Sequence, residues 1–110
     1  MHEPRRAPIE STHRIDAALP AFDGHFPGAP VLPGAYLLAL VLHALEQQPV
    51  LRARAGAALQ VQQVKFLAPV APGATLRIRL QPQARAVDFS VHCGDTLVAR
   101  GHIAAEAAAA

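Results

Sequence analysis

The chain has 110 residues, 52% of them apolar, and a formal charge of +2, which is one domain's worth of sequence and excludes a two-domain arrangement. Leu, Ile, Val and Phe together number 30, which lifts the chain above the composition of disordered segments. So small a basic excess, with no run of Lys or Arg reaching the roughly five to eight of a basic patch and only 5% aromatic residues, excludes a nucleic-acid binder that works by charge and base stacking.

A single cysteine, Cys93, rules out an internal disulfide. The six histidines show neither the H-x3-H nor the C-x2-C type of spacing that a metal site needs, so no metal is expected. The opening MHEPRRAPIE has two Arg with no apolar stretch behind them and does not read as a signal peptide. The longest apolar run, Ala35 to Leu42, falls short of the ~18 residues of a membrane span. The chain therefore reads as soluble and cytoplasmic, with no membrane partner. With 24 Ala and no Trp, its core is built from small pieces. Such a core gains by burying a second face, which predicts an oligomer.

In chain order, residues 1–8 read as a loose lead-in broken by Pro4 and Pro8. Ile9, Ser11, His13 and Ile15 alternate with Glu10, Thr12 and Arg14, the period of a strand. From Ala17 to Pro33, four prolines forbid regular structure. Gly34 to Gln48 is then the one convincing helix; its leucines and valines surround it on nearly all sides, which predicts a buried helix, and Pro49 stops it. Leu59 and Val61 share a strand face that Gln62-Gln63 throws out of phase, as a bulge does, before Val64 and Phe66 resume it. A Pro72-Gly73 turn leads to Leu76, Ile78 and Leu80. Val87, Phe89, Val91 and Cys93 follow on another strand, and Gly94-Asp95 is a two-residue hairpin turn returning through Leu97, Ala99, Gly101 and Ile103. The tail, residues 105–110, has nothing to pack.

One strand, one buried helix and a meander of about four strands make an α+β domain spanning residues 1–110, a curved antiparallel sheet around the helix. Such a sheet leaves an edge that a two-fold partner can cover.

The chemistry is concentrated in Gly24-His25-Phe26-Pro27-Gly28-Ala29-Pro30-Val31-Leu32-Pro33-Gly34. Prolines and glycines hold His25 without a regular element, immediately before a helix. Gly34 offers an unpaired N–H at the positive end of that helix. An N–H that stabilises charge on a carbonyl oxygen and a His that handles the proton on the adjacent carbon make a pair able to activate a carbonyl substrate. On composition alone the segment reads first as a stiff loop in which His25 is a hydrogen-bonded spacer.

GHFPGAPVLPG followed by a long apolar helix resembles the signature of the 3-hydroxyacyl-acyl-carrier-protein dehydratases of type II fatty acid synthesis, which have the hotdog fold. The resemblance continues through VKFLAPVAPGATLRIRL, Val64 to Leu80, and covers roughly Ile9 to Ala104. It implies that His25 moves the α-proton of a 3-hydroxyacyl thioester and that Gly34 polarises the thioester carbonyl. Phe26 and Pro27 would shape the turn and the tunnel wall beside the substrate. It also implies a two-fold dimer with sites at the interface, each taking its His from one chain and an acidic residue from the partner's helix, an acyl carrier protein as partner, and no cofactor, since the reaction needs neither metal nor redox group. An acyl carrier is acidic, and Arg52, Arg54, Lys65 and Arg100 are candidates for its docking patch.

The sequence departs from the family at the acid. The helical Glu or Asp that donates a proton to the leaving hydroxide corresponds to Ala39 here, and the helical Gln four residues on corresponds to His43. Losing a general acid costs ~10²–10⁴-fold in rate, about 3–5 kcal/mol of barrier. His43 lies on the same helix face as Ala39 and is a stand-in for the acid, its alternative being a solvated His near the helix end. Glu46 reads mainly as a surface carboxylate. Alternatively the chain is a non-catalytic or half-active subunit that binds acyl chains or completes a heterodimer with an acid-bearing paralogue. An acyl thioesterase is a lesser alternative. Of the rest, His13, His92 and His102 read as sheet-surface or rim residues, and Asp23 as a turn cap.

Overall fold

The computed structural model describes residues 7–18, 32–48, 59–83 and 86–105. These form β1 (Ile9–Arg14), α1 (Gly34–Glu46), β2 (Leu59–Phe66), β3 (Thr75–Pro82), β4 (Ala86–Cys93) and β5 (Thr96–Ala105). Each element lies where the hydrophobic period places it. α1 ends at Glu46, two residues before the predicted Gln48, with Gln47 as its C-cap; the N–H of Gln47 donates to the carbonyl of His43 at 3.2 Å and that of Gln48 to the carbonyl of Leu45 at 3.0 Å. β5 extends to Ala105, so the first residue of the expected tail is paired, opposite Leu59. The remaining parts of both expected tails, residues 1–6 and 106–110, lie outside the described residues.

The five strands form one antiparallel sheet in the order β1-β3-β4-β5-β2. This corrects the meander expected for the last four strands. Only β3, β4 and β5 follow one another by adjacent pairing, whereas β2 pairs with β5 at the far edge. The chain leaving β2 must therefore cross the width of the sheet to enter β3. The sheet also has two open edges rather than one; among the described residues nothing pairs with the outer side of β1 or β2.

Two irregularities are set by the sequence. The β2–β5 register shifts between Val61 and Gln63. That extra residue lets Val61 and Val64, three apart, share the face toward α1. The β4–β5 register shifts between Val91 and His92, skipping Val98. The Val98 carbonyl instead accepts from the N–H groups of Leu67 at 2.7 Å and Ala68 at 3.2 Å. At the β4–β5 hairpin Gly94 takes φ 58, a left-handed conformation that only a residue without a β-carbon adopts freely.

The core lies between α1 and one face of the sheet. Leu37, Val41, Ala44 and Leu45 of α1 meet Leu76, Ile78 and Leu80 of β3, Val87, Phe89 and Val91 of β4, and Ile103 of β5 in one cluster. Contrary to the expectation from its composition, the helix is not buried all round. Ala35, Ala39, His43 and Glu46, spaced at three or four residues, form a stripe exposed on the single chain.

Candidate active site

The start of α1 is positioned by the end of β2 and the segment after it. Leu32, buried, donates its N–H to the carbonyl of Val70 at 2.8 Å, and Val70 is itself buried. Pro33 is the N-cap, in an extended conformation, and its carbonyl accepts from Tyr36 and Leu37 at 3.0 and 3.2 Å. A proline supplies no side-chain cap, and the first turn carries no acidic residue. Among the described residues no acceptor is paired with the N–H of Gly34 or Ala35. Among the described residues, the positive end of α1 is thus left without the side-chain oxygen that ordinarily satisfies it. That is the local arrangement a carbonyl oxygen or other anionic group can occupy.

Gly34 is the first helical residue, as expected. A β-carbon there would lie 2.9 Å from Cζ of Phe66 and 3.0 Å from its Cε2. The absence of a side chain lets the aromatic ring seat directly against the helix start. Phe66 and the neighbouring Leu67 are each 50% exposed. Phe66 is the site residue that sequence reasoning misses: alternation with Val64 marks it as facing α1 but does not say which helical residue it meets.

Ala39 and His43 both lie on the exposed stripe of α1, one turn apart, with Glu46 further along it. His25, Phe26 and Pro27 fall outside the described residues, as do Asp23, Arg52 and Arg54. The other histidines lie on the sheet. His13, on β1, is half-buried and shares a 2.8 Å hydrogen bond with the Ser11 hydroxyl. His92 is half-buried opposite Arg77. His102 faces Asp88, and its Nδ1–H donates to that carboxylate. Among the described residues no group of three or more His, Cys, Asp or Glu is placed to hold a metal ion. Nor is any helix among them long and apolar enough to cross a membrane.

A five-stranded antiparallel sheet packed on one helix is the hotdog fold. The chain belongs to the ApeI-like dehydratase family, whose model matches residues 2–102. Among curated proteins, it is 38% identical over 66 residues to the 3-hydroxyacyl-[acyl-carrier-protein] dehydratase FabZ of Thermomicrobium roseum, covering 56% of this chain and 44% of that one. The FabZ of Desulforamulus reducens is 31% identical over 85 residues, 74% of this chain and 58% of the relative. The chain spans about half the length of the curated relatives it matches. Among solved structures, the dehydratase heterocomplex ApeI:P from Xenorhabdus doucetiae superposes with a TM-score of 0.74 at 26% identity, covering 94% of this chain and 90% of that one. The fluoroacetyl-CoA-specific thioesterase FlK superposes with a TM-score of 0.66 at 14% identity, over 92% of each chain, a likeness of fold alone.

Proposed function

We propose that this chain is a dehydratase-like enzyme that removes water from a 3-hydroxyacyl thioester carried on acyl carrier protein, in the cytoplasm. The observation that carries the reading is the start of α1 at Gly34, without a side-chain cap among the described residues and seven residues after Pro27 of the His25-Phe26-Pro27 motif. In this mechanism the Gly34 N–H hydrogen-bonds the thioester oxygen and stabilises negative charge developing there. His25 takes a proton from the α-carbon. That electron pair forms the C=C bond, the C–O bond at the β-carbon breaks, and the hydroxide leaves as water once it gains a proton. The product is the trans-2-enoyl thioester. Phe26 and Pro27 of one chain, and Ala39 of the partner subunit, are assigned to lining the substrate. A proton and a hydroxide leave and the elimination is redox-neutral, so acid–base groups suffice for it without a metal or redox cofactor.

The proton for the leaving hydroxide is assigned to His43. At 1.5 Å per residue, Gly34 and His43 of one helix are about 13 Å apart along the axis. The carbonyl carbon and the hydroxyl-bearing carbon are only two bonds apart. Even with the imidazole leaning toward the N-terminus, one helix does not supply both groups to one thioester. The pairing that works is Gly34 of one chain with His43 of the partner subunit. This supports a two-fold dimer, formed over the exposed stripe of α1 and the open β2 edge.

A second reading is favoured by Ala39. The chain would be one half of a heterodimer whose acid comes from a paralogue, and the 26% identical ApeI:P structure is a heterocomplex. A thioesterase stands lower, because its support is the fold alone.

The test is turnover of purified protein with a 3-hydroxyacyl-carrier protein, read by mass spectrometry as water loss. Under the first reading the chain alone gives enoyl product, His25→Ala abolishes it, and His43→Ala lowers it at least tenfold. Retained turnover in His25→Ala removes His25 from the mechanism. No turnover alone, recovered on adding an acid-bearing paralogue, selects the heterodimer.

A further inference from the structure

The face of the sheet away from α1 carries a second polar site. Strand register places its side chains in rows across the sheet. Glu10 of β1 opposes Arg79 of β3, which opposes Ser90 of β4. Ser90 in turn opposes Arg100 of β5, which opposes Lys65 of β2. A single row thus holds three cations, with a hydroxyl between two of them. In the next row Gln81 opposes Asp88, Asp88 opposes His102, and His102 opposes Gln63. The two rows line an open groove of about 680 Å³.

Neighbouring strands lie about 4.8 Å apart, so the backbones of Arg79 and Arg100 are about 10 Å apart with Ser90 midway, and Lys65 is one strand further. Guanidinium groups on long stems reach over that gap from both sides. Among the described residues none of the three cations is in an ion pair; the pair formed is that of His102 with Asp88. The Asp88 carboxylate also accepts from Gln83 Nε2 at 3.1 Å. A carboxylate has about four lone-pair sites, so the second row keeps hydrogen-bonding capacity after these contacts.

We infer that this groove binds a sugar phosphate. The phosphate sits over the Ser90 hydroxyl between Arg79 and Arg100, whose planar forks match its oxygens. Lys65 adds charge on the far side. The sugar hydroxyls lie along the second row, where Asp88, His102 and Gln63 offer donors and acceptors and the row bears little net charge. The groove's volume lies in the range of small-molecule sites. Glu10, closing the cationic row at its β1 end, disfavours a longer polyanion. The site is separated from Gly34 by the sheet itself, so it stands or falls independently of the dehydratase reading.

The experiment is an amide NMR titration of the intact protein with ribose 5-phosphate at constant ionic strength, with ribose, inorganic phosphate and holo acyl carrier protein as parallel probes. Ribose 5-phosphate is expected to give saturable shifts at Arg79, Ser90 and Arg100 and none at Gly34, and to bind more tightly than inorganic phosphate. Arg79→Gln and Arg100→Gln, both at exposed positions, are each expected to weaken binding about tenfold with otherwise unchanged spectra. Four results would overturn the proposal: no saturation by about 10 mM, affinity unchanged in both variants, equal affinity for inorganic phosphate, or shifts at these residues from the carrier protein alone.

Discussion

The ring of Phe66 occupies the space that a side chain on Gly34 would fill, at 2.9 Å from the position of the missing β-carbon. The end of an edge strand therefore supports the first turn of the helix. The contact reaches Gly34 through the far end of a half-exposed ring, which has room to swing away.

A double-mutant cycle follows from that contact. Gly34→Ala is expected to destabilise the native chain, because the ring must leave its seat. In a Phe66→Ala background the same change is expected to be neutral or stabilising, since Ala is a better helix former than Gly by about 1 kcal/mol. Urea unfolding of the four proteins measures the coupling. A value below about 0.5 kcal/mol would show that the two residues do not constrain each other.

Ala39 is the second point of leverage. It is exposed on the single chain, so Ala39→Glu costs the fold less than about 0.5 kcal/mol. If the missing carboxyl limits dehydration, the substitution raises kcat by about 10²-fold or more. Steady-state kinetics on carrier-bound substrate decide it, and an unchanged kcat would mean that another group already supplies the proton.

Gly101 poses a harder constraint than Gly34. A β-carbon there would lie 2.4 Å from the backbone oxygen of Gln63 and 2.5 Å from the buried Phe89 ring. Backbone at a bulge cannot swing aside as a ring tip can. Gly101→Ala is expected to cost about 3 kcal/mol by thermal or urea unfolding, and Phe89→Leu should not relieve it.

Phe66 and Leu67, consecutive in sequence and each half-exposed, lie at the end of β2, an open sheet edge among the described residues. A charge placed there opposes burial against a partner. Light scattering is expected to find the native chain as a dimer and Leu67→Glu shifted toward monomer. Equal masses for both proteins would move the interface elsewhere.

Residue type and spacing alone determine the local structure. The strands and helix announce themselves by period, the bulge at Gln62-Gln63 by a break in that period, and the hairpin by Gly94-Asp95. The motif from Gly24 to Gly34 likewise carries its family resemblance without any fold, and the helix start at Gly34 follows from Pro33 and the apolar run after it. These features depend on neighbours within a few residues, which is the range over which backbone sterics and amphipathic faces act. Only the tertiary structure decides which strand lies beside which. The placing of β2 against β5 depends on contacts some forty residues apart along the chain, and alternation reads the same for any partner strand. The seat of Phe66 on Gly34, the crowding at Gly101 and the row from Arg79 to Lys65 all follow from that register. So does the difference between a helix that is apolar nearly all round and one that buries a single face within its own chain.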